Sequence, residues 1–396
     1  MTENITIEDI ITFEKQYNNE DNKTVEKQIK KYGLKKASLN KNDYQFEFNL
    51  ELPELKIYNQ FSSNQCSIYA FLRVVKDILR KTTNLDVDNL DISANYIAFF
   101  DKMEKINVVY NELINLNEIN YENINNIVDR YIGSFGTFHF CREIVNKYGL
   151  CLSKDMPDSN SKFDDSLSIE LLKQKIKTDA LCLKKLKSKE EKMKYKRKLI
   201  YEAYQFLSKI YGNPPIEFDF GDKKITPIQF KDLYLSNKLN DFITVTTLNK
   251  QDLFDSYSFI PNIYLNDTEE IITLKQNEIS KAVINQLKDG ISVWFSSEES
   301  TTADYENGLL DDTTYKLEEI LNINPIKKEE KIKLDIINYD HAMCITGALI
   351  TNNQIKQLKV DNSFGIYGKY KGYFIMTPSY LENSVITLII DKKYIV

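Results

Sequence analysis

The spacing of apolar residues changes near Gly290, and this change constrains the fold more than any other feature of the sequence. Before Gly290, the long segments 66–80, 91–116 and 168–212 have the patterns of helices. After it come short β-like runs such as ISVWFSS, HAMCITGALI and VITLIID, separated by turn residues such as TNN (351–353). A helical part followed by a mostly antiparallel sheet predicts an α+β fold with two lobes.

Composition and charge narrow the class of protein. The net charge of −6 argues against general affinity for nucleic acid or for an anionic membrane. The N-terminus has no apolar core like that of a signal peptide, and no run of about eighteen apolar residues occurs. Five scattered cysteines do not form a disulfide framework in a chain of 396 residues. We therefore expect a cytoplasmic protein that keeps its thiols reduced and does not span a membrane.

Most of the cysteines have no predicted chemical role. His139, Cys141 and Cys151 have a spacing that fits no common zinc pattern, so we expect neither a metal nor another cofactor. We interpret Cys141, Cys151, Cys182 and Cys344 as small buried hydrophobic residues.

Cys66 is different, because it lies where a polar loop meets a helix. In NQFSSNQCSIYAFLRVV (59–75), the residues before Cys66 are polar and small, and those after it have the apolar spacing of one helix face. A thiol at a helix N-terminus is near unpaired backbone N–H groups and the positive end of the helix dipole, which both favour the thiolate. Cys66 is therefore a candidate nucleophile, and the alternative is an ordinary core cysteine.

The candidate partners of Cys66 are few. A base must accept and return the proton of such a thiol, and the chain has only two histidines, His139 and His341. His341 begins one β run and Asn362 follows the next, so two adjacent antiparallel strands would bring them together. The amide oxygen of Asn362 could then orient the imidazole toward Cys66. Gln60, on the polar loop, could donate its side-chain amide to an oxyanion beside the backbone N–H of Cys66.

Three segments carry a resemblance to a known enzyme family. NQFSSNQC (59–66) is similar to an active-site segment NQxSSGRCW, and DHAM (340–343) and KVDNSFG (359–365) are similar to the His and Asn segments of the same family. The chain thus resembles the bleomycin hydrolase and aminopeptidase C family, a branch of the papain-like cysteine peptidases. Further similar segments follow in the family's order over nearly the whole chain: 94–105, 211–220, 225–230, 287–295 and 372–385.

The resemblance implies a fold, a reaction and roles for four residues. The fold would be papain-like and two-lobed, with helical insertions, and the reaction would be intracellular hydrolysis of short peptides without a cofactor. Cys66 would be the nucleophile and His341 its general acid and base. Asn362 would orient His341, and Gln60 would donate to the oxyanion.

On this interpretation the chain has four parts. They are an N-terminal helical or extended segment, a helical catalytic lobe with the nucleophile, a helical insertion, and a β lobe with the catalytic His and Asn: 1–58, 59–155, 156–285 and 286–396.

The substrate groove departs from the family pattern. Where the family has Asp-Gly-Gly-Gln, this chain has SFGT (134–137), and Phe135 is expected to crowd the wall that faces the substrate backbone. Asp340 precedes His341 and would add negative potential, or would be an exposed acid at the end of a strand. We therefore interpret Phe135, Gly136 and Asp340 as candidate substrate-binding residues.

Other departures keep a second class of function open. Ser67 replaces the tryptophan that follows the cysteine, and Phe364 replaces the tryptophan after the Asn-Ser pair, although its aromatic face can still shield the Asn–His hydrogen bond. The alternative is a catalytically impaired homologue that binds peptide or nucleic acid. The run KKLKSKEEKMKYKRK (184–198), with nine basic and two acidic residues, is either a solvated helix face or a contact for nucleic acid or another subunit.

The resemblance also implies an assembly and a mode of cleavage. The assembly would be a homo-hexamer with enclosed active sites, in which the helices of 168–212 supply contacts. In the family, a C-terminal tail places its carboxylate against the α-amine of the substrate. Here only Ile395 and Val396 follow Tyr394. We therefore expect that the Val396 carboxylate does not reach Cys66 and that peptides with blocked N-termini are also cut, as by an endopeptidase.

Overall fold

The computed structural model describes most of the chain, in the ranges 4–40, 42–133, 136–249, 251, 270–334, 336 and 341–395. Phe135, Asp340 and Val396, to which the sequence analysis assigned roles, lie outside the described residues. Within these ranges, no helix is both long enough and apolar enough to cross a membrane.

The helical part follows the apolar spacing, with one difference. The described residues form the helices α1 (Ile7–Tyr17), α2 (Glu20–Tyr32), α3 (Leu34–Ser38), α4 (Cys66–Thr82), α5 (Ala94–Asn115), α6 (Tyr121–Tyr131), α7 (Phe138–Tyr148), α8 (Asp165–Lys184), α9 (Lys189–Tyr211), α10 (Pro227–Tyr234), α11 (Gln276–Lys288), α12 (Leu317–Ile320), α13 (Lys328–Lys333) and α14 (Pro378–Asn383). The predicted helices 66–80 and 91–116 are confirmed as α4 and α5. The predicted helix 168–212 is two helices, α8 and α9, because Ser188 starts a new helix by accepting the backbone N–H of Glu191.

The sheet confirms the predicted α+β fold. Its strands are β1 (Leu50–Glu51), β4 (Phe242–Thr246), β5 (Ile271–Thr273), β6 (Val293–Ser297), β7 (Ala303–Asp304), β8 (Leu309–Leu310), β9 (His341–Thr351), β10 (Gln354–Asp361), β11 (Tyr373–Met376) and β12 (Val385–Asp391), while β2 (Phe218–Phe220) and β3 (Lys223–Ile225) form a separate hairpin. The order is β5-β4-β12-β6-β9-β10-β11-β8-β7, with β1 paired to β9. From β12 to β11 all neighbours are antiparallel, and the β runs predicted after Gly290 are confirmed.

The sheet also takes strands from outside the predicted β lobe. β1 comes from 1–58, and β4 and β5 come from 156–285, which was interpreted as a helical insertion. All five residues of β4 are buried. β4 has only five residues, FITVT, and a run this short cannot be assigned to a strand or a buried helix from its periodicity. The limits of the four parts of the chain, the hexamer and the role of the basic run stay predictions.

Two hydrophobic cores meet at the central strands. In β6, Trp294 belongs to the core formed with the helices, whereas Val293 and Phe295 belong to the core on the other face of the sheet. In β9, Cys344 belongs to the core formed with the helices, and Met343 belongs to the core on the other face. Because alternate side chains of a strand point to opposite faces, β6 and β9 are held from both sides. The ends of these strands are therefore rigid positions for functional side chains.

A buried arginine connects α4 to β10. Arg73 Nη1 is 3.0 Å from Asp361 Oδ2, Nε is 3.3 Å from Asp77 Oδ2, and Nη2 donates to the carbonyl of Pro53 at 3.0 Å. Burial lowers the pKa of Arg73, but the carboxylates of Asp361 and Asp77 more than offset this and raise it. Asp361 is the last residue of β10 and immediately precedes Asn362, so this network fixes the nucleophile helix relative to that asparagine.

Removing the Arg73 charge tests the importance of this network. We expect Arg73→Met to lower the free energy of unfolding by about 3–5 kcal/mol, because it removes the nearest cation from two buried carboxylates. Urea unfolding followed by circular dichroism measures the change. Arg197→Met makes the same substitution at an exposed position of α9 and should leave the stability nearly unchanged. Equal, small effects of both substitutions would contradict a structural role for Arg73.

Candidate active site

Cys66 is the first residue of α4 and is half-buried. Gln65, at the N-cap position, makes no side-chain capping hydrogen bond. The first backbone N–H groups of α4 are therefore not occupied by a capping side chain, and the positive end of the helix dipole lies at the sulfur. This environment suits a negative charge on the thiol or on an atom bound beside it.

The loop before Cys66 is held to the segment around Asn362. The backbone N–H of Gln60 donates to the carbonyl of Ser363 at 2.7 Å, and that of Gly365 donates to the carbonyl of Tyr58 at 2.8 Å. Residues far apart in the chain thus form one short ladder beside the nucleophile. The ladder joins the end of β10 to the start of α4.

His341 and Asn362 meet as the sequence analysis predicted. Nε2 of His341 lies 2.8 Å from Oδ1 of Asn362, and the two residues are 3% and 5% exposed. The same oxygen accepts the backbone N–H of Ser363 at 2.7 Å. The amide therefore presents its oxygen to the ring, and Nε2 carries the proton of this hydrogen bond. The other ring nitrogen, Nδ1, is left for the Cys66 sulfur, which forms a hydrogen bond with His341.

Phe364 covers the imidazole. The rings of His341 and Phe364 are stacked, with centroids 5.0 Å apart and an interplanar angle of 5°. Tyr305 packs edge-on against Phe364, with centroids 5.5 Å apart. The aromatic face lies over the imidazole, as expected for a residue that shields the Asn–His hydrogen bond in place of tryptophan.

The amide of Gln60 is fixed from both sides. Its Oε1 accepts the hydroxyl of Ser363 at 2.5 Å, and its Nε2 donates to the carbonyl of Ser63 at 2.7 Å. An amide nitrogen has two hydrogens, so one remains for an oxyanion near Cys66. Ser363 was missed as a functional residue by the sequence analysis. Its position directly after Asn362 was the available signal, because a residue next to an orienting amide lies close to the site.

The charge of His341 depends on a carboxylate that the sequence analysis did not identify. Burial lowers the pKa of His341. The carboxylate of Glu299, the charge of Cys66 and the hydrogen bonds that His341 makes with Cys66 and Asn362 outweigh this effect and raise the pKa to about 10. Glu299 Oε2 lies 3.8 Å from Nε2 of His341. The imidazolium is therefore the favoured form at neutral pH and can stabilise a thiolate by charge.

Gly136 lies in the wall of a cavity next to the nucleophile. Ser67 and Gly136 both line this cavity. A Cβ atom at Gly136 would lie 2.7 Å from Oγ of Ser67, too close for an unstrained contact. A larger residue at this position would therefore force the Ser67 side chain to move. The assignments of Phe135 and Asp340 to substrate binding stay predictions.

The remaining cysteines and His139 are not part of the hydrogen-bonded series from Cys66 to Asn362. Cys141, Cys151 and Cys344 are buried as expected, but the prediction for Cys182 is wrong because it faces solvent on the outer side of α8. Burial and the neighbouring Arg142 lower the pKa of His139 to about 3. Among the described residues, no group of three or more His, Cys, Asp or Glu side chains could hold a metal ion.

Comparison with known proteins decides the family. The family model described as "Peptidase C1-like family" matches residues 4–396. The chain belongs to this family. Aminopeptidase E of Lactobacillus helveticus is 27% identical over 419 residues, covering 100% of this chain and 95% of that protein. Aminopeptidase C of Listeria innocua is 26% identical over 417 residues, covering 100% of this chain and 94% of that protein.

A solved structure supports the same conclusion for the fold. The crystal structure of PepW from Lactobacillus rhamnosis matches this peptidase C1-like protein with a TM-score of 0.89 at 24% identity, covering 100% of this chain and 94% of that chain. The predicted papain-like, two-lobed α+β fold is confirmed. The family match and the named aminopeptidases among the relatives also confirm the prediction of a cysteine-type peptidase.

Substitution of Gln60 tests its role at the oxyanion. We expect Gln60→Ala to lower kcat by about 10²–10³ with a much smaller effect on KM, because the lost donor acts mainly in the transition state. Gln286→Ala is the matched control, since Gln286 is also buried and donates to the carbonyl of Ser292 at 2.9 Å, but in the β lobe. It should lower stability and leave kcat of the folded enzyme unchanged. A rise in KM alone for Gln60→Ala would instead indicate a role in ground-state binding.

Proposed function

We propose that this peptidase hydrolyses peptide bonds through a Cys66 thioester, with His341 as acid and base. The observation that carries the proposal is the hydrogen-bonded series from Cys66 to His341 to Asn362, with the fixed amide of Gln60 beside it. Nucleophile, base, orienting group and oxyanion donor are the four parts that acyl transfer requires.

In the first half of the reaction, the Cys66 thiolate attacks the carbonyl carbon of the scissile bond. The carbonyl oxygen becomes an oxyanion, which accepts hydrogen bonds from the backbone N–H of Cys66 and the side chain of Gln60. The imidazolium of His341 gives its Nδ1 proton to the leaving nitrogen. The C–N bond then breaks, an amine departs, and a thioester remains on Cys66.

In the second half, water attacks the thioester. Neutral His341 takes a proton from this water at Nδ1 while the same oxyanion forms and collapses. The C–S bond breaks, the carboxylic acid product leaves, and the thiolate–imidazolium pair is restored. Asn362 keeps the ring in place through both halves, because its hydrogen bond to Nε2 does not change partners.

The proposed substrates are short peptides, by analogy with relatives that are named aminopeptidases. The proposed compartment is the reducing cytoplasm, since all five cysteines are free thiols and the proposed nucleophile is one of them. A thiolate that must attack carbonyl carbon needs protection from oxidation, which such a compartment provides.

The course of β12 bears on the mode of cleavage. Val385, at the start of β12, pairs with Ser297 beside the site, whereas Asp391, at its end, pairs with Phe242. The segment 392–395 follows Asp391 and so lies roughly 20 Å along the strand from the catalytic end. The described residues after β12 therefore lie far from Cys66, and this position supports our proposal that a free α-amine on the substrate is not required for cleavage.

Labelling of the nucleophile tests the proposed reaction. We expect a thiol-directed epoxide to modify Cys66 and abolish turnover of fluorogenic peptides, as located by mass spectrometry. Cys66→Ala should remove activity and keep the fold, because the change from thiol to methyl is small. Cys182→Ala, at the exposed cysteine of α8, is the matched control and should keep full activity. Turnover by Cys66→Ala would disprove the mechanism, and a folded, unlabelled and inactive wild type would favour the impaired binding homologue.

Matched peptides with free and acetylated N-termini test the mode of cleavage. We expect both to be cut at comparable kcat/KM, with internal bonds cleaved in the acetylated peptide, because residues 392–395 follow the end of β12 that is away from Cys66. Product analysis by mass spectrometry locates the cleaved bonds. A strong preference for the free amine, with stepwise release of single residues, would contradict this proposal and leave the chemical mechanism intact.

A further inference from the structure

The carboxylate of Glu299 lies next to the imidazole of His341 but takes no part in the steps proposed above. Glu299 follows β6 by two residues, and Ser297, the last residue of β6, pairs with His341 in the sheet. This pairing places Oε2 of Glu299 at 3.8 Å from Nε2 of His341. The Glu299 side chain is 12% exposed, so water screens its charge only weakly.

The turn that carries Glu299 is held by several hydrogen bonds. Glu298 accepts the hydroxyl of Ser300 at 2.7 Å and the backbone N–H of Thr301 at 3.0 Å through its carboxylate. The carbonyl of Glu299 accepts the backbone N–H of Ala303 at 2.9 Å. From α14, the hydroxyl of Tyr380 donates to the carbonyl of Glu298 at 2.9 Å. The backbone of Glu299 is therefore fixed relative to His341.

Glu299 acts on His341 by charge more than by hydrogen bonding. The single proton on Nε2 is directed to Oδ1 of Asn362 at 2.8 Å, a normal hydrogen bond, whereas 3.8 Å is too long for one. A carboxylate at this distance in a buried site stabilises the imidazolium relative to the neutral ring. Asn362 carries no charge, so it cannot supply this effect.

Among the residues that the structure describes, few charges compete with Glu299 around His341. α4 contributes Cys66, the segment after β10 contributes Asn362 and Phe364, and the turn after β6 contributes Glu299. Tyr380 of α14 lies behind the turn, and burial raises its pKa, so it stays neutral. Of the influences that raise the pKa of His341, the carboxylate of Glu299 is the largest.

We infer that Glu299 is a positioning residue of the reaction, which keeps His341 protonated while Cys66 is a thiolate and so extends activity into the alkaline range. This inference rests on the proposed function of Cys66 and His341. It separates two tasks at Nε2: Asn362 orients the ring, and Glu299 stabilises its charge.

The pH dependence of kcat/KM tests the inference. Glu299→Gln keeps the shape of the side chain and removes its charge. We expect the alkaline limb of the profile to shift to lower pH by about one to three units, the usual effect of one close opposite charge. Glu299→Asp keeps the charge and should restore most of the alkaline activity. Glu306→Gln removes an exposed carboxylate of the same lobe and should leave the profile unchanged.

Titration of the imidazole gives a second measurement that does not need activity. The chain has two histidines, and the pKa of His139 is lowered to about 3 by burial and Arg142, so His341 titrates alone at higher pH. In a Cys66→Ala background, which removes the coupled thiol, NMR should show the His341 midpoint lowered by about one to three pH units on adding Glu299→Gln.

The outcomes separate this inference from the proposed function. An unchanged alkaline limb and an unchanged NMR midpoint in Glu299→Gln would overturn the role of Glu299, and so would a uniform loss of rate at all pH values, which indicates a structural defect. Persistent turnover in Cys66→Ala would overturn the proposed reaction instead, whatever the NMR midpoint of His341. A lowered NMR midpoint of His341, together with an alkaline limb shifted to lower pH, supports the inference.

Discussion

The packing of α4 against β9 is the contact on which the site depends. α4 begins at Cys66 and β9 begins at His341, so the start of a helix and the start of a strand meet at one edge of the interface between the lobes. Both elements are buried over most of their length, and Cys344 Sγ donates to the carbonyl of Ala70 one turn along α4. The ion pair between Arg73 and Asp361 adds a charged, buried contact between α4 and β10. The distance between Cys66 and His341 is thus set by the packing of whole helices and strands.

Ser363 connects the two halves of the chemistry. Its backbone N–H fixes the amide oxygen of Asn362, and its hydroxyl fixes the amide of Gln60. The group proposed to orient the base and the group proposed to bind the oxyanion are therefore anchored to the same residue. Because side chains locked by second contacts lose less entropy when substrate arrives, this shared anchor preorganises both groups.

The sequence predicted those parts of the site that depend on local structure. The helix after Cys66 follows from apolar spacing, and the approach of His341 to Asn362 follows from a hairpin. The turn of that hairpin has Asn352 and Asn353 at φ of 52° and 60°, the left-handed conformations that asparagine tolerates well. Glu299 could not be predicted in this way, because its approach to His341 depends on the register of β6 against β9, two strands distant in sequence.

In the proposed reaction, Asn362 and Glu299 divide a task that a single residue performs in the Ser-His-Asp triad. There, one buried carboxylate both orients the imidazole and stabilises its positive charge. Here a neutral amide makes the short hydrogen bond and a carboxylate at 3.8 Å supplies the charge. The division has a chemical cost, because an imidazolium stabilised by Glu299 is a weaker acid toward the leaving amine. Placing the carboxylate beyond hydrogen-bonding distance limits that cost while keeping the thiolate–imidazolium pair charged.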